Sequence, residues 1–260
     1  MRPTWIAAIA VALTVLGGSA ARGAEPLRVG MELSYPPFEM SDTEGRPAGV
    51  SVEIARALGR HLDRPVVIEN IAFDGLIPAL KAGTVDCLIS SLTATPERER
   101  SIAFSEPYLK TGLALLIASS SPVRTAADLD ARGRTVAVKQ GTTGQQWAAA
   151  NLKESRLLVL DSEAAAVLEV IQGRADAFIY DSMSVYRNHM RHPKQTRAAL
   201  TPFREERWAI GLRKGDDDLR RKVNAFLEAY RADGGFDRLG DAFLGEQKRY
   251  FAEHGIPFYF

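Results

Sequence analysis

A short internal repeat is the feature that most limits the folds open to this sequence. Residues 83–91 (GTVDCLISS) align with residues 173–181 (GRADAFIYD), and each copy follows a stretch of apolar residues at helical spacing. Self-similarity within a chain indicates that the same supersecondary unit is built more than once. We therefore predict two related α/β lobes, one beginning near Leu27 and the other near Thr125.

The first half of the chain alternates short apolar runs with amphipathic segments. Apolar residues recur every four positions from Val50 to Leu62, which places one apolar stripe on a helix. A second helix is predicted at 76–82, where Gly83 ends it. Short apolar runs predict strands at 27–31, 65–69 and 85–89. This alternation favours an α/β fold in which each lobe has a mostly parallel sheet flanked by helices.

The chain must also pass between the two lobes and return. The apolar run 112–118 suits the outgoing crossing, and the run 208–212 resembles a returning strand. A helix follows at 219–230, where apolar residues again recur at helical spacing. We therefore assign residues 25–111 and 207–260 to the first lobe and residues 112–206 to the second, with two hinge crossings between them.

The amino-terminal residues have the layout of an export signal. Arg2 precedes an apolar run from Trp5 to Leu16, and the small residues GGSAA follow. This order is typical of a secretory signal peptide, which we place at residues 1–24. No later stretch approaches the roughly 20 apolar residues needed to span a bilayer. We therefore expect an exported, periplasmic protein.

Charge and residue content argue against several functions. The chain has 33 basic and 32 acidic residues, so its formal net charge of +1 gives no electrostatic reason to expect nucleic acid as a partner. Cys87 is the single cysteine, which excludes an internal disulfide. The glycine-rich segment 141–144 lacks the ending of a P-loop, and the four histidines form no recognisable metal pattern. We expect no metal and no cofactor.

The segment from Ser90 to Arg98 combines four hydroxyls and one guanidinium directly after a predicted strand. A guanidinium grips a carboxylate through two parallel hydrogen bonds, so this turn suits a small anion. Thr95 and Pro96 also make a good helix start, with threonine as the N-cap and proline at the first helical position. The residues alone leave both interpretations open. In the second copy of the repeat, Tyr180 and Asp181 occupy the matching place, past the carboxyl end of a strand, where open α/β sheets bind ligands.

Several short motifs follow one another along the chain. They are YPPFE (35–39), FDGLIPAL (73–80), TATPER (93–98), VAVKQGTT (136–143), GRADA (173–177) and YD (180–181). In this succession they closely resemble the extracytoplasmic solute-binding proteins of polar amino acid ABC transporters, bacterial solute-binding protein family 3. The resemblance implies the two-lobed periplasmic-binding-protein fold of type II. It also implies an open form that closes around one amino acid and delivers it to a permease.

The resemblance further implies a site for the two charges of an amino acid. Arg98 matches the arginine that takes the ligand α-carboxylate, and Asp181 matches the acid that takes the α-ammonium. Thr93 and the turn at Ser91 match groups that assist the arginine. An arginine and an aspartate from opposite lobes are also what the chemistry of a zwitterion requires.

The remaining expected site residues surround the ligand side chain or complete the carboxylate site. Tyr35 and Phe73 match aromatic walls that sandwich the ligand side chain. Glu32 lies where relatives that bind lysine, arginine or ornithine, and one kind that binds glutamine, carry an acid, although usually a shorter aspartate. We therefore expect basic amino acids slightly ahead of glutamine or other polar amino acids. The expected ligand-binding residues are Glu32, Tyr35, Phe73, Ser90, Ser91, Thr93, Arg98, Lys139, Thr142, Thr143, Tyr180 and Asp181.

Two alternatives to transport stay open. Exported members of this fold family include periplasmic dehydratases that act on prephenate or arogenate, and Glu32 or Asp181 would be candidates for the general acid of that reaction. The second alternative is a solute-sensing partner of a periplasmic dehydrogenase or signalling system. Retention of Asp181 where an ammonium would lie favours binding, so we expect no catalytic residue. The expected partners of this monomer are a free amino acid and an inner-membrane ABC permease.

Overall fold

The computed structural model describes residues 24–256, in which two five-stranded sheets and one three-stranded sheet are combined with helices. All but the last residue of the expected signal peptide lies outside the described residues. The strands are β1 (Leu27–Met31), β2 (Ser34–Tyr35), β3 (Glu39–Ser41), β4 (Pro47–Ala48), β5 (Val66–Asn70), β6 (Cys87–Leu88), β7 (Ala103–Phe104), β8 (Leu109–Ala118), β9 (Thr135–Lys139), β10 (Arg156–Leu160), β11 (Ala177–Asp181), β12 (Thr196–Trp208) and β13 (Gly211–Leu212). The helices are α1 (Val50–His61), α2 (Leu76–Ala82), α3 (Pro96–Glu99), α4 (Thr143–Asn151), α5 (Glu163–Ile171), α6 (Ser182–Arg191), α7 (Asp217–Ala232) and α8 (Gly235–Glu253).

The first sheet has the strand order β5-β1-β6-β13-β7. Strands β5, β1 and β6 are parallel, whereas β13 pairs antiparallel with both β6 and β7. Alternate residues of β1, including Leu27 and Val29, are fully buried, and α1 buries Ile54 and Leu58. The predicted strands and the two predicted helices are therefore confirmed, although β6 is shorter than the apolar run that predicted it.

The second sheet repeats the plan of the first, with the order β10-β9-β11-β8-β12. Strands β10, β9 and β11 are parallel, and β8 and β12 add antiparallel pairs. Leu88 pairs with Gly30 in the first sheet, and Phe178, at the same place in the repeat, pairs with Ala137 in the second. The internal repeat therefore corresponds to a shared three-stranded parallel unit. Pairing is parallel in this unit alone, because β13 in the first sheet and β8 in the second run antiparallel to the strands on both of their sides.

Two long strands carry the chain between the sheets. Strands β8 and β12 pair from Leu109↔Trp208 to Ala118↔Thr196, with an irregularity between Ala199 and Arg204. The Tyr108 amide donates to the Trp208 carbonyl at 2.9 Å, and Trp208 also forms an antiparallel bridge with Thr93, which follows β6 of the first sheet. The predicted lobe boundaries at 111/112 and 206/207 fall inside these two strands, and this division of the chain stays a prediction.

The carboxy-terminal helix α8 contacts elements of both halves. It packs against α1 and α7, which flank the first sheet. The Gln247 amide also donates to the Met183 carbonyl at 3.2 Å, and the rings of Tyr186 and Tyr250 lie 4.7 Å apart. No helix within residues 24–256 combines the length and the apolar content needed to cross a membrane.

Candidate ligand-binding cleft

A narrow cleft lies where the carboxyl ends of the parallel strands of both sheets face each other. This is the edge at which open α/β sheets bind ligands. The expected residues that line the cleft are Glu32, Tyr35, Phe73, Ser90, Ser91, Thr93, Arg98, Thr142, Thr143, Tyr180 and Asp181. Lys139 is not part of the lining, but it forms an ion pair with Glu32, which belongs to the lining. The fold therefore brings all twelve expected residues together.

Arg98 is held at the cleft by the short helix α3. The Thr95 hydroxyl accepts from the Arg98 amide at 3.2 Å as N-cap, and Pro96 is the first helical residue. The guanidinium donates to the Thr93 carbonyl at 2.8 Å and to the Gly141 carbonyl at 3.0 Å. Burial lowers the pKa of Arg98 to about 10, so the side chain stays charged at neutral pH. The segment is thus a helix start that also presents a buried cation.

Asp181 faces the cleft from the second sheet, at the end of β11 and the start of α6. Its Oδ1 atom accepts from the Met183 and Ser184 amides at 3.0 and 3.1 Å and from the Tyr35 hydroxyl at 2.7 Å. Burial raises the pKa of Asp181 to about 6, while these hydrogen bonds lower it. Among residues 24–256 no hydrogen bond to Oδ2 is present, so this oxygen has acceptor capacity left for a ligand.

Glu32 and Lys139 form an ion pair across the cleft. Lys139 is the last residue of β9 and is 2% exposed, and Glu32 follows β1 in the first sheet. The Lys139 Nζ atom lies 5.4 Å from the centre of the Phe73 ring, and the Arg98 Cζ atom lies 5.5 Å from it. The acid expected to receive a basic ligand side chain therefore already has a cation from the opposite sheet.

The ring of Tyr35 is packed among other side chains. It stacks on Phe38 with centroids 5.4 Å apart, and the Arg187 Cζ atom lies 5.5 Å from its centre. Trp208 contacts it edge-on at 6.1 Å. Tyr35 presents its hydroxyl to Asp181, so the expected sandwich of a ligand side chain between Tyr35 and Phe73 stays a prediction.

Two buried acids in the lining were missed from the sequence. Glu39 accepts from the Ser51 and Ser91 hydroxyls at 2.6 and 3.0 Å, and burial raises its pKa to about 8. Glu206 accepts from the Thr93 hydroxyl at 3.2 Å, and burial also raises its pKa. Glu39 ends the YPPFE motif and Glu206 precedes the run 208–212, but no sequence pattern showed that either would be buried. The lining also includes Leu113, Gly144 and Trp208.

Further contacts join the two sides at the cleft mouth. The Gln140 amide donates to the Asp74 carboxylate at 2.9 Å. Gly141 has a φ of +75°, and a Cβ atom there would lie 3.1 Å from the Asp74 Cβ. The two sides therefore meet closely, as in a closed cleft. No group of three or more His, Cys, Asp or Glu within residues 24–256 is placed to hold a metal ion.

Comparison with known proteins agrees with this architecture. Residues 27–246 match the bacterial extracellular solute-binding proteins, family 3. The chain is 31% identical over 247 residues to the L-arginine-binding protein of Pseudomonas aeruginosa, which covers 90% of this chain and 94% of that relative. An ancestral arginine-binding protein bound to glutamine is 31% identical, with a TM-score of 0.77 and coverage of 86% of this chain and 99% of that one. An ancestral amino acid-binding protein, a precursor of cyclohexadienyl dehydratase, is 32% identical with a TM-score of 0.77, covering 85% and 95%. This chain therefore belongs to family 3 of the bacterial extracellular solute-binding proteins.

Proposed function

We propose that this protein captures a free amino acid in the periplasm and delivers it to an ABC permease of the inner membrane. The observation that carries the proposal is the pair formed by Arg98 and Asp181, which approach one cleft from opposite sheets. A zwitterion needs a cation for its carboxylate and an acid for its ammonium, and both charge-assisted bonds strengthen when closure excludes water. The L-arginine-binding relative supports amino acids as the ligand class.

The ligand would stabilise closure by taking over contacts that now join the two sides directly. Arg98 has a backbone carbonyl, that of Gly141, as its acceptor across the cleft. A ligand carboxylate is a stronger acceptor than a carbonyl because it is charged. A ligand shifts an open-closed equilibrium only through contacts that it makes better in the closed form. Simultaneous contacts with Arg98 and Asp181 meet that condition.

The Glu32–Lys139 ion pair favours a neutral polar side chain over a basic one. A carboxamide can accept from Lys139 through its oxygen and donate to Glu32 through its nitrogen, so both charges keep a partner. A guanidinium or ammonium would compete with Lys139 for the same carboxylate, and separating a buried ion pair is costly. A glutamine-like ligand therefore fits this ion pair better than the basic amino acids that the sequence slightly favoured. The ancestral arginine-binding protein bound to glutamine is consistent with such an exchange.

A ligand panel on the purified exported form tests the proposal. Melting temperature is measured with each common amino acid, ornithine, prephenate and arogenate, because a ligand that binds the folded state raises it by mass action. We expect the largest increase with L-glutamine or a related polar amino acid, followed by one-to-one binding in calorimetry. The same samples are assayed for product. Turnover of prephenate or arogenate without tight amino acid binding would support the dehydratase alternative instead.

A further inference from the structure

Glu39 is a buried acid to which the proposed capture of an amino acid assigns no role. It begins β3, is 1% exposed, and lines the cleft. Three serine hydroxyls surround its carboxyl group. Its Oε2 lies 2.6 Å from the Ser51 Oγ and 3.0 Å from the Ser91 Oγ, and its Oε1 lies 3.4 Å from the Ser90 Oγ. Glu39 thus joins helix α1 to the turn that follows β6.

The direction of these hydrogen bonds determines whether each serine hydroxyl can donate to a ligand or only accept from it. Each hydroxyl has one proton, so a serine that donates to Glu39 can only accept from any other group. The Ser90 Oγ already accepts from the Glu32 amide at 3.0 Å. Ser91 is partly exposed in the cleft lining, and its donation to Glu39 leaves its lone pairs available.

We propose that Glu39 is a positioning residue that fixes the Ser91 hydroxyl as a hydrogen-bond acceptor for an N–H group of the ligand. The proposal rests on the proposed function, because the N–H group belongs to the captured amino acid. With an ionised Glu39, both Ser91 and Ser51 donate to the carboxylate. A protonated Glu39 can itself donate to a serine, so the Ser91 hydroxyl no longer has to donate to Glu39. The Ser91 proton can then point into the cleft, where it would repel an N–H donor of the ligand.

The surroundings of Glu39 make its ionisation sensitive to the ligand. Burial and, to a smaller extent, the charge of Glu32 raise its pKa, the serine hydroxyls lower it, and together they place it at about 8. The other titratable groups facing it are Tyr108 and Tyr180, whose pKa values are raised mainly by their own burial. In the closed form without ligand, roughly nine-tenths of Glu39 is then protonated at pH 7. A ligand N–H donor favours the ionised form, so binding should expel a proton.

The experiment compares the wild type with Glu39→Gln and with Glu44→Gln, an exposed control on the same small sheet region. The dissociation constant of L-glutamine is measured by calorimetry at pH 6, 7.5 and 9 in buffers of different ionisation enthalpy. The ratio of the Glu39→Gln constant to the wild-type constant cancels the titration of the ligand itself. We expect this ratio to rise about tenfold from pH 6 to pH 9. The carboxyl group of Glu39 ionises over this range in the wild type, whereas the side-chain amide that replaces it in Glu39→Gln cannot ionise. The Glu44→Gln ratio should stay near one.

Proton release provides a second readout. The wild type should release about half a proton on binding near pH 7.5, because a tenfold rise in the ratio corresponds to a fall of about one unit in the pKa of Glu39 on binding, and Glu39→Gln should release much less. A pH-independent ratio together with equal proton release would overturn the role of Glu39 while leaving amino acid capture intact. If the wild type bound no amino acid, the proposed function and this proposal would both fail.

Ser91→Ala tests the same proposal if Glu39→Gln does not fold. This variant removes the acceptor but keeps the buried acid and its bond to Ser51. We expect weaker L-glutamine binding than in the wild type, with the larger loss at pH 9. Equal affinity at pH 9 would show that Ser91 accepts no hydrogen bond from the ligand and would overturn the proposal.

Discussion

Arg98 donates to backbone carbonyls on both sides of the cleft and has no carboxylate partner among the described residues. Its α3 position and its burial fix the guanidinium in the lining of the cleft, where a ligand carboxylate could accept from it. A buried cation of this kind is stabilised most by an anion that arrives with the ligand. At the residue scale, loss of Arg98 should therefore weaken the binding of every amino acid ligand, whatever its side chain.

Arg98→Ala should weaken binding of all amino acids by at least about 100-fold. Hydrogen bonds to charged groups contribute about 1.5–3 kcal/mol each, so two of them correspond to about 3 kcal/mol or more. Calorimetry with L-glutamine and L-arginine provides the measurement. Arg100→Ala is the matched control, because Arg100 is exposed two positions further along. Unchanged affinity in Arg98→Ala would remove this residue from the site.

Lys139→Met should shift the preference of the cleft toward basic ligands. Without Lys139, the Glu32 carboxylate lacks its cation, and an arginine or lysine side chain can supply one. We expect the affinity for L-arginine relative to L-glutamine to rise by about tenfold or more, which is about 1.4 kcal/mol. Lys194→Met, at an exposed position, is the control. If the relative affinity does not move, the ion pair does not select the side chain.

At the element scale, the structure separates what a local pattern can predict from what it cannot. Helices α1 and α2 follow the predicted bounds to within a residue, and Gly83 ends α2 with a φ of +78°, as a left-handed C-cap requires. Periodicity and caps are properties of neighbouring residues. Most of strand β12 was missed, because its polar residues, such as Arg204 and Glu205, show no clean alternation and its identity depends on pairing with the distant strand β8.

The features of the candidate site also divide into those that a local pattern predicts and those that depend on contacts between distant residues. Arg98 and Asp181 were predicted from the family resemblance. The places of Ser90 and Asp181 at strand ends agreed with it, because parallel strands bring their carboxyl ends to one edge. The ion pair of Lys139 with Glu32 and the burial of Glu39 depend on how the two sheets meet. That geometry is not encoded in any short segment, so no sequence pattern indicated that these charges would be paired or desolvated.

Asp181 allows a prediction that separates its structural role from its binding role. As N-cap of α6 it accepts two backbone hydrogen bonds, which asparagine accepts equally well and alanine cannot. Asp181→Asn should keep the free energy of unfolding within about 0.5 kcal/mol, whereas Asp181→Ala should lose about 1 kcal/mol. Both should lose at least about tenfold in affinity, because the ammonium loses its counter-charge.

Urea unfolding without ligand and calorimetry with L-glutamine measure the two quantities separately. Retained affinity in Asp181→Asn would assign the residue to the helix cap alone. Equal stability of the asparagine and alanine variants would show that the N-cap hydrogen bonds do not stabilise the fold. Asp181 would then act only through its charge, in ligand binding.

At the scale of the whole molecule, the cleft groups are already joined to one another across the cleft. Arg98 contacts Gly141, and Tyr35 contacts Asp181. Lys139 pairs with Glu32 in the same way. A ligand therefore replaces these contacts as much as it adds to them. Entry of an amino acid requires the contacts to separate first, so the rate of binding should depend on opening of the whole molecule.

Asp74 and Gly141 offer a way to test this by locking the cleft. A Cβ on Gly141 would lie 3.1 Å from the Asp74 Cβ, slightly closer than the approximately 3.5–4.5 Å found in disulfides. The double variant Asp74→Cys, Gly141→Cys should therefore form a bridge after a shift of a few tenths of an ångström. Cys87 should not interfere, because it is fully buried and burial raises its pKa to about 12.

The oxidised double variant should bind L-glutamine at least about 100-fold more slowly than the reduced one, because a closed disulfide prevents the opening that entry requires. Oxidation in the presence of radiolabelled L-glutamine should instead trap the ligand through dialysis, and a reductant should release it. Gly141→Cys alone is the control, since a side chain at a φ of +75° costs about 1–2 kcal/mol by itself. Equal binding rates before and after reduction, with the bridge confirmed by mass spectrometry, would show that the ligand enters without separation of these two residues.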